Sequence, residues 1–251
     1  LLFAFGLLFL LYAGSVLWCG DTLSLKAITT VILIPPVMIL GIEGLSFSYK
    51  YFLKQAPYYL AGIFGLLAAY FYSVKSPKKI AAPVLLGVFP LLMSFGVYDL
   101  WVHKIEYGSF TGSVAPEQLP PIELYNREGQ QVSNALLQGK YVIFDFWYIG
   151  CRPCWVKFPQ LEKLYEKYQT NEQVEIFAVN RPMSYDKPGA LFSRIEEKGY
   201  TFPVLQGTQK VMDDLEIYVY PTVILLDKEG QVVFRGEIEA AAEKLFQLLG
   251  A

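Results

Sequence analysis

The 251 residues contain one histidine, three cysteines and four methionines. The first 104 residues contain no arginine at all. Few charges of either sign stand there: seven lysines against three acids give +4, while the remaining residues carry fourteen basic and twenty acidic side chains, or −6. No basic cluster is present in that acidic second half, which excludes the electrostatic footprint of a nucleic-acid-binding protein. The single histidine excludes more. A structural zinc site takes four Cys or His ligands, and His103 and Cys19 both fall in the charge-poor first part, away from Cys151 and Cys154. No metal and no cofactor are therefore expected.

What the first part has in abundance is apolar side chains. The whole chain is 54% hydrophobic, above the usual 45–50% or so of soluble domains. Leu1–Cys19 and Ile80–Val102 are each long enough for a crossing of about 30 Å by a helix of ~20 residues, and Tyr58–Val74 is just long enough. Ala27–Ile42 is shorter and carries Pro35–Pro36, so a kinked, tilted or re-entrant segment is expected. An all-α transmembrane domain of three to four helices over 1–104 follows, with the lipid bilayer as its surroundings. A cleaved leader would need a basic stretch before its apolar run and small residues behind it; neither flanks the first run, so a retained span is expected. The loop "KSPKK" (Lys75–Lys79) holds three lysines, which by the positive-inside rule places it in the cytoplasm. Everything after Val102 is then extracytoplasmic.

A linker over 105–120 is expected from Gly108, Gly112, Pro116 and Pro120, followed by a different pattern over 121–251. "IELYNREGQQVS" alternates around Glu128–Gly129, as a hairpin does. "GKYVIFDFW" is a continuous apolar run suited to a strand covered on both faces, and "QVEIFAVN" is a second. The stretch beginning at Cys154 has helical spacing interrupted by Pro159, which should kink it. A helix ending at Gly199, a hairpin of "PTVILLD" and "QVVFRGEI", and a closing amphipathic helix complete the series. Strands alternating with helices and then a hairpin imply an α/β fold, a mixed sheet with helices on both faces.

In "FDFWYIGCRPCW" two cysteines stand two residues apart where a strand gives way to a helix. A disulfide closing so short a loop adds little stability on the chain-entropy model. A redox role fits the position better. The first sulfur lies at a helix N-terminus, whose free N–H groups and dipole stabilise a thiolate. The second lies one turn inward, placed to attack a mixed disulfide.

The segment Pro121 to Leu249 resembles the thioredoxin fold, and in particular the membrane-tethered TlpA-like thiol–disulfide oxidoreductases. "CRPC" resembles the active-site motif, with Pro153 before the second cysteine. Pro159 matches the proline of the active-site helix, Asp145 the buried aspartate, and "YPT" (Tyr220–Thr222) the cis-proline loop. The resemblance implies a protein-disulfide oxidoreductase in the cytoplasmic membrane with its domain on the periplasmic side. Its partners would be protein disulfides and a separate membrane or soluble electron donor, since Cys19 alone cannot cycle as an intramolecular disulfide within the bilayer. Cys151 would attack, Cys154 resolve, Pro221 present backbone to an extended substrate, and Asp145, its pKa raised by burial, act as base for Cys154.

Some positions depart from the family. Gly150 stands where a Trp is frequent, Lys157 where many members have Glu, and Tyr220 is bulky for its place before the proline. Arg152 and Lys157 should lower the pKa of Cys151, which must stay reachable by its substrate. Two other readings compete. A peroxiredoxin-like peroxidase would want Thr or Ser three residues before its cysteine, where Tyr148 stands. A non-catalytic thioredoxin-like binding module would not need the cysteine pair. Copper delivery would need a histidine that the second half lacks.

Overall fold

The computed structural model describes residues 1–19, 24, 27–32, 34, 38, 49–73, 80–187 and 189–250. The chain divides into two compact units, Leu1–Ile105 and Glu106–Ala251. The "KSPKK" loop and half of Ala27–Ile42, Pro35–Pro36 included, lie outside the described residues.

The first unit is helical where described: α1 (Leu2–Cys19), α2 (Tyr49–Ser73), α3 (Ala81–Leu92) and α4 (Tyr98–Tyr107). Helix α2 buries its small residues, Ala61, Gly62, Gly65 and Ala69 among them. A Cβ at Gly65 would meet the backbone of Phe5, so α1 and α2 approach through small side chains, the packing mode that apolar helices use when no hydrophobic gain separates protein from lipid. A π turn, Met93–Val97, joins α3 to α4 through Gly96 at φ +96°. Among the described residues one helical stretch, Ala81–Tyr107, is long and apolar enough to cross a membrane, and Leu2–Trp18 is a shorter apolar helix. Helix α2, which holds the described part of the expected span Tyr58–Val74, does not meet that measure, so among the described residues one of the three to four expected spans is shown by length and composition.

In the second unit the strands are β1 (Ser113–Gln118), β2 (Leu124–Tyr125), β3 (Gln131–Val132), β4 (Tyr141–Trp147), β5 (Val174–Asn180), β6 (Val204–Gln206), β7 (Thr222–Leu226) and β8 (Gln231–Gly236). They form one sheet in the order β1-β8-β7-β4-β5-β6-β2-β3. The pairs β4–β5 and β5–β6 are parallel and the rest antiparallel. Strand β4 lies between β5 and β7 and is covered on both faces, which is why it reads as an unbroken apolar run. Its period-2 alternation sends Ile143 and Trp147 into one core and Val142, Phe144 and Phe146 into the other. The first core also takes helices α6 (Arg152–Tyr168), α7 (Ala190–Glu197) and α9 (Ile238–Leu248); the second takes α5 (Asn134–Leu137) and α8 (Gln209–Asp214). This is a thioredoxin-like mixed sheet.

Pro159 lies inside α6, which continues through it to Tyr168; the stripe of Phe158, Leu161, Leu164 and Tyr168 buried against the sheet outweighs one missing backbone donor. One expectation changes. The stretch expected as linker contains β1, paired with β8. Its Pro116 is tolerated because β1 is an edge strand, where a missing N–H breaks no ladder.

Gly112, just before β1, has φ +83°, and a Cβ there would strike the ring of Phe234. Its carbonyl accepts from Arg235 N–H at 2.8 Å. Gly112→Ala should lower stability by about 1–3 kcal/mol, read as a fall in the urea midpoint. Gly129→Ala, at φ +76° but with open space around it, should cost about 1 kcal/mol. Equal effects would mean that the Phe234 contact is not the cause.

Candidate redox site

Cys151 is the N-cap of α6, in extended conformation at φ −77° and ψ 93°, and its sulfur accepts from Cys154 N–H at 3.2 Å. Its own N–H donates to Tyr148 O at 2.9 Å. The turn that ends β4 thereby delivers the first sulfur onto the free donors of the helix terminus. Cys151 and Cys154 are joined as a disulfide with Cα atoms 5.4 Å apart. Both are buried, Cys151 at 1% exposure. Tyr148, Ile149, Trp155 and Tyr220 pack against the same cluster. A reachable Cys151 was expected; in the oxidised state it is buried within that cluster.

The Tyr220–Pro221 peptide is cis. Tyr220 meets Tyr148 edge to face at 5.4 Å, so its bulk fills the space beside the strand-to-helix turn. Gly150 has Tyr148 and the Tyr185 hydroxyl at 3.4 and 3.7 Å from where a Cβ would stand. Both are ordinary van der Waals distances, so a Cβ at position 150 would fit beside these tyrosines.

Asp145 is fully buried in mid-β4, opposite Ala178 of β5 and Val223 of β7. Neither carboxylate oxygen has a hydrogen-bond partner among the described residues. By alternation it shares the face of Ile143 and Trp147, under α6. Burial, with a smaller contribution from the Glu239 carboxylate, pushes its pKa up from 3.8 to about 8.

Sequence reasoning missed three features. The indole of Trp147 is boxed edge to face by Trp155 at 5.2 Å and Phe158 at 5.0 Å, fixing the strand end against the helix start. Asn180, at 2% exposure, leaves its amide nitrogen unpartnered among the described residues. Lys157 is not an uncompensated cation: it pairs with Glu237 at 3.3 Å and, more closely, with Glu239. Its expected effect on Cys151 is corrected accordingly, because two carboxylates meet its charge. Arg152 is exposed. The acids lie some eighty positions away in the chain, beyond any local spacing signal.

The AhpC/TSA family matches residues 115–235. The thiol-disulfide oxidoreductase ResA of Halalkalibacterium halodurans is 33% identical over 140 residues, 54% of this chain and 77% of that protein. The chain belongs to the thiol–disulfide oxidoreductases. It is a protein-disulfide oxidoreductase of the thioredoxin superfamily. The thioredoxin-like protein YneN of Bacillus subtilis is 27% identical over 155 residues, 62% of this chain and 87% of that one. The thioredoxin domain of a Bacteroides vulgatus thiol-disulfide oxidoreductase superposes with a TM-score of 0.48 at 25% identity, over 54% of this chain and 99% of the other.

Because folding raises the pKa of Asp145, the native state keeps a proton that the unfolded chain releases above about pH 4. Stability should therefore fall as pH rises from about 4 to about 8 and level off beyond it. Asp145→Asn should remove that slope. The urea midpoint of the variant should match the parent near pH 4 and exceed it above pH 8, by a few kcal/mol in order of magnitude. A constant difference at all pH values would mean that Asp145 titrates normally.

Proposed function

We propose that this oxidoreductase reduces protein disulfides on the extracytoplasmic side of the cytoplasmic membrane, using the Cys151-Arg152-Pro153-Cys154 motif. The observation that carries the reading is a cystine seated on the N-terminus of α6, the helix packed on the sheet face that carries the buried Asp145. The Cys151 thiolate attacks one sulfur of the client disulfide, and the other client sulfur leaves as a thiolate. Asp145 takes the proton of Cys154, whose sulfur then attacks Cys151 and releases the second client thiolate. The chain is left as the cystine, and a separate donor returns two electrons, while Asp145 gives back the one proton that restores the Cys151 thiolate and the Cys154 thiol. The cis Tyr220–Pro221 loop supplies backbone groups for an extended client strand to pair with. The peroxidase reading has Tyr148 against it, a phenol packed on Tyr220 in place of a hydroxyl beside the nucleophile. The apolar 1–104 segment holds the domain (121–251) at the bilayer.

Insulin-type disulfide reduction should fall to background in Cys151→Ser, while Cys154→Ser should accumulate mixed disulfides resolvable on non-reducing gels. Substantial turnover by Cys151→Ser would reassign the nucleophile. For location, a reporter active only in the cytoplasm, fused after Ala251, should be silent; strong activity would reverse the orientation.

A further inference from the structure

Helices α6 and α9 pack side by side on the Asp145 face of the sheet, and one charged clamp joins them. Lys157, three residues past Cys154, reaches Glu237 at the N-cap of α9 and Glu239 in its first turn. The lysine side chain is 28% exposed, so solvent screens the contact only in part. Burial is the largest single influence on the Glu239 carboxyl and would raise it, but hydrogen bonds from Lys157, the backbone and Gln160, together with the charge of Lys157, outweigh it and keep the group below its ordinary range. The position of Glu239 in the first turn of α9 also suits a carboxylate.

We propose that Lys157 and Glu239 act as an opposed pair of positioning residues that set the pH at which Asp145 gives up its proton. Glu239 is the charged side chain whose field raises Asp145, and Lys157 is the cation hydrogen-bonded to Glu239. The other groups around the carboxyl are few. Glu237 shares the α9 terminus, and α6 contributes the cystine. Tyr107, buried at the end of α4, lies within electrostatic reach of both Glu237 and Asp145. The strand neighbours Ala178 and Val223 are uncharged. The consequence for turnover rests on the role of Asp145 as base, but its titration does not.

The two halves of the clamp must act with opposite sign. Removing the Glu239 charge relieves repulsion and lets Asp145 ionise at lower pH. Removing Lys157 leaves both acids uncompensated and delays ionisation to higher pH. A merely structural contact would move both variants the same way, because either loss opens the same gap between α6 and α9. Each shift should be at most of the order of one pH unit, since solvent screens both side chains in part.

The test uses the full chain in its oxidised state, where the cysteines do not titrate and cannot couple to the carboxyl. The protonated-carboxyl stretch that disappears in Asp145→Asn is followed by infrared difference spectroscopy across pH. Glu239→Gln should shift its midpoint down, Lys157→Met should shift it up, and Lys157→Arg should restore it. Shifts in a common direction, or none, overturn the inference. If Lys157→Met does not fold, Glu239→Gln decides alone: a downward shift supports the inference and an unmoved midpoint overturns it. The pH midpoint of Cys154 resolution, measured by stopped flow, should track the infrared midpoint. If the infrared midpoint moves and the rate does not, the base role of Asp145 fails while the clamp stands.

Discussion

Burying a carboxyl with no hydrogen-bond partner is tolerable only while the group keeps its proton. Asp145 is in that position, in the middle of the sheet with Ala178 and Val223 on either side. Central strand β4 must be covered on both faces to bury it. The mixed sheet meets that need, since parallel pairing with β5 sends the chain back through α6 across the face that Asp145 shares. The fold accepts an energetic penalty at Asp145 on the same face that α6, with the cystine at its N-terminus, covers.

The strand-to-helix turn has to be rigid for that placement to matter. Aromatic edges do this. Trp147, Trp155 and Phe158 form one interlocked set, each contact worth about 0.5–1.5 kcal/mol beyond burial. The Trp155 indole N–H also donates to Ile149 O at 2.8 Å, tying the first turn of α6 back to the turn it grows from. On the other side, Tyr148 against Tyr220 links that turn to the Pro221 loop. The sulfurs are thus held between elements that are far apart in sequence.

Legibility followed the range of the physics. Period-2 burial and helix spacing are local, so β4, β5, the β7–β8 hairpin and α6 could be read directly. The pair Cys151 and Cys154, with Asp145 six residues earlier, was legible for the same reason: all three belong to one strand–turn–helix. Strand β1 was not, because Pro116 and Gly112 read as linker, and only its partner β8 makes an edge strand of it. The Lys157 clamp was invisible because Glu237 and Glu239 come from the last helix, and no spacing rule connects the second and final helices of the sheet domain. The burial of Cys151 was likewise missed, since contacts such as Tyr220 on Tyr148 arise only through the fold.

This last set of contacts changes where the charge that tunes the sulfurs must come from. Arg152 is exposed, and its field is weakened by water. Lys157 is met by two carboxylates. Neither surface cation then dominates, and the helix terminus is left as the fixed positive element, its N–H from Cys154 already directed at Cys151. The variable element is Asp145. Protonated, it leaves the sheet face under α6 neutral and opposes no thiolate there. Ionised, it places an uncompensated negative charge in a low-dielectric site, where its repulsion of a second anion is far stronger than at the surface. On the proposed roles, the pH response of the couple is therefore set from inside the sheet, by one proton shared between a carboxyl and a thiol.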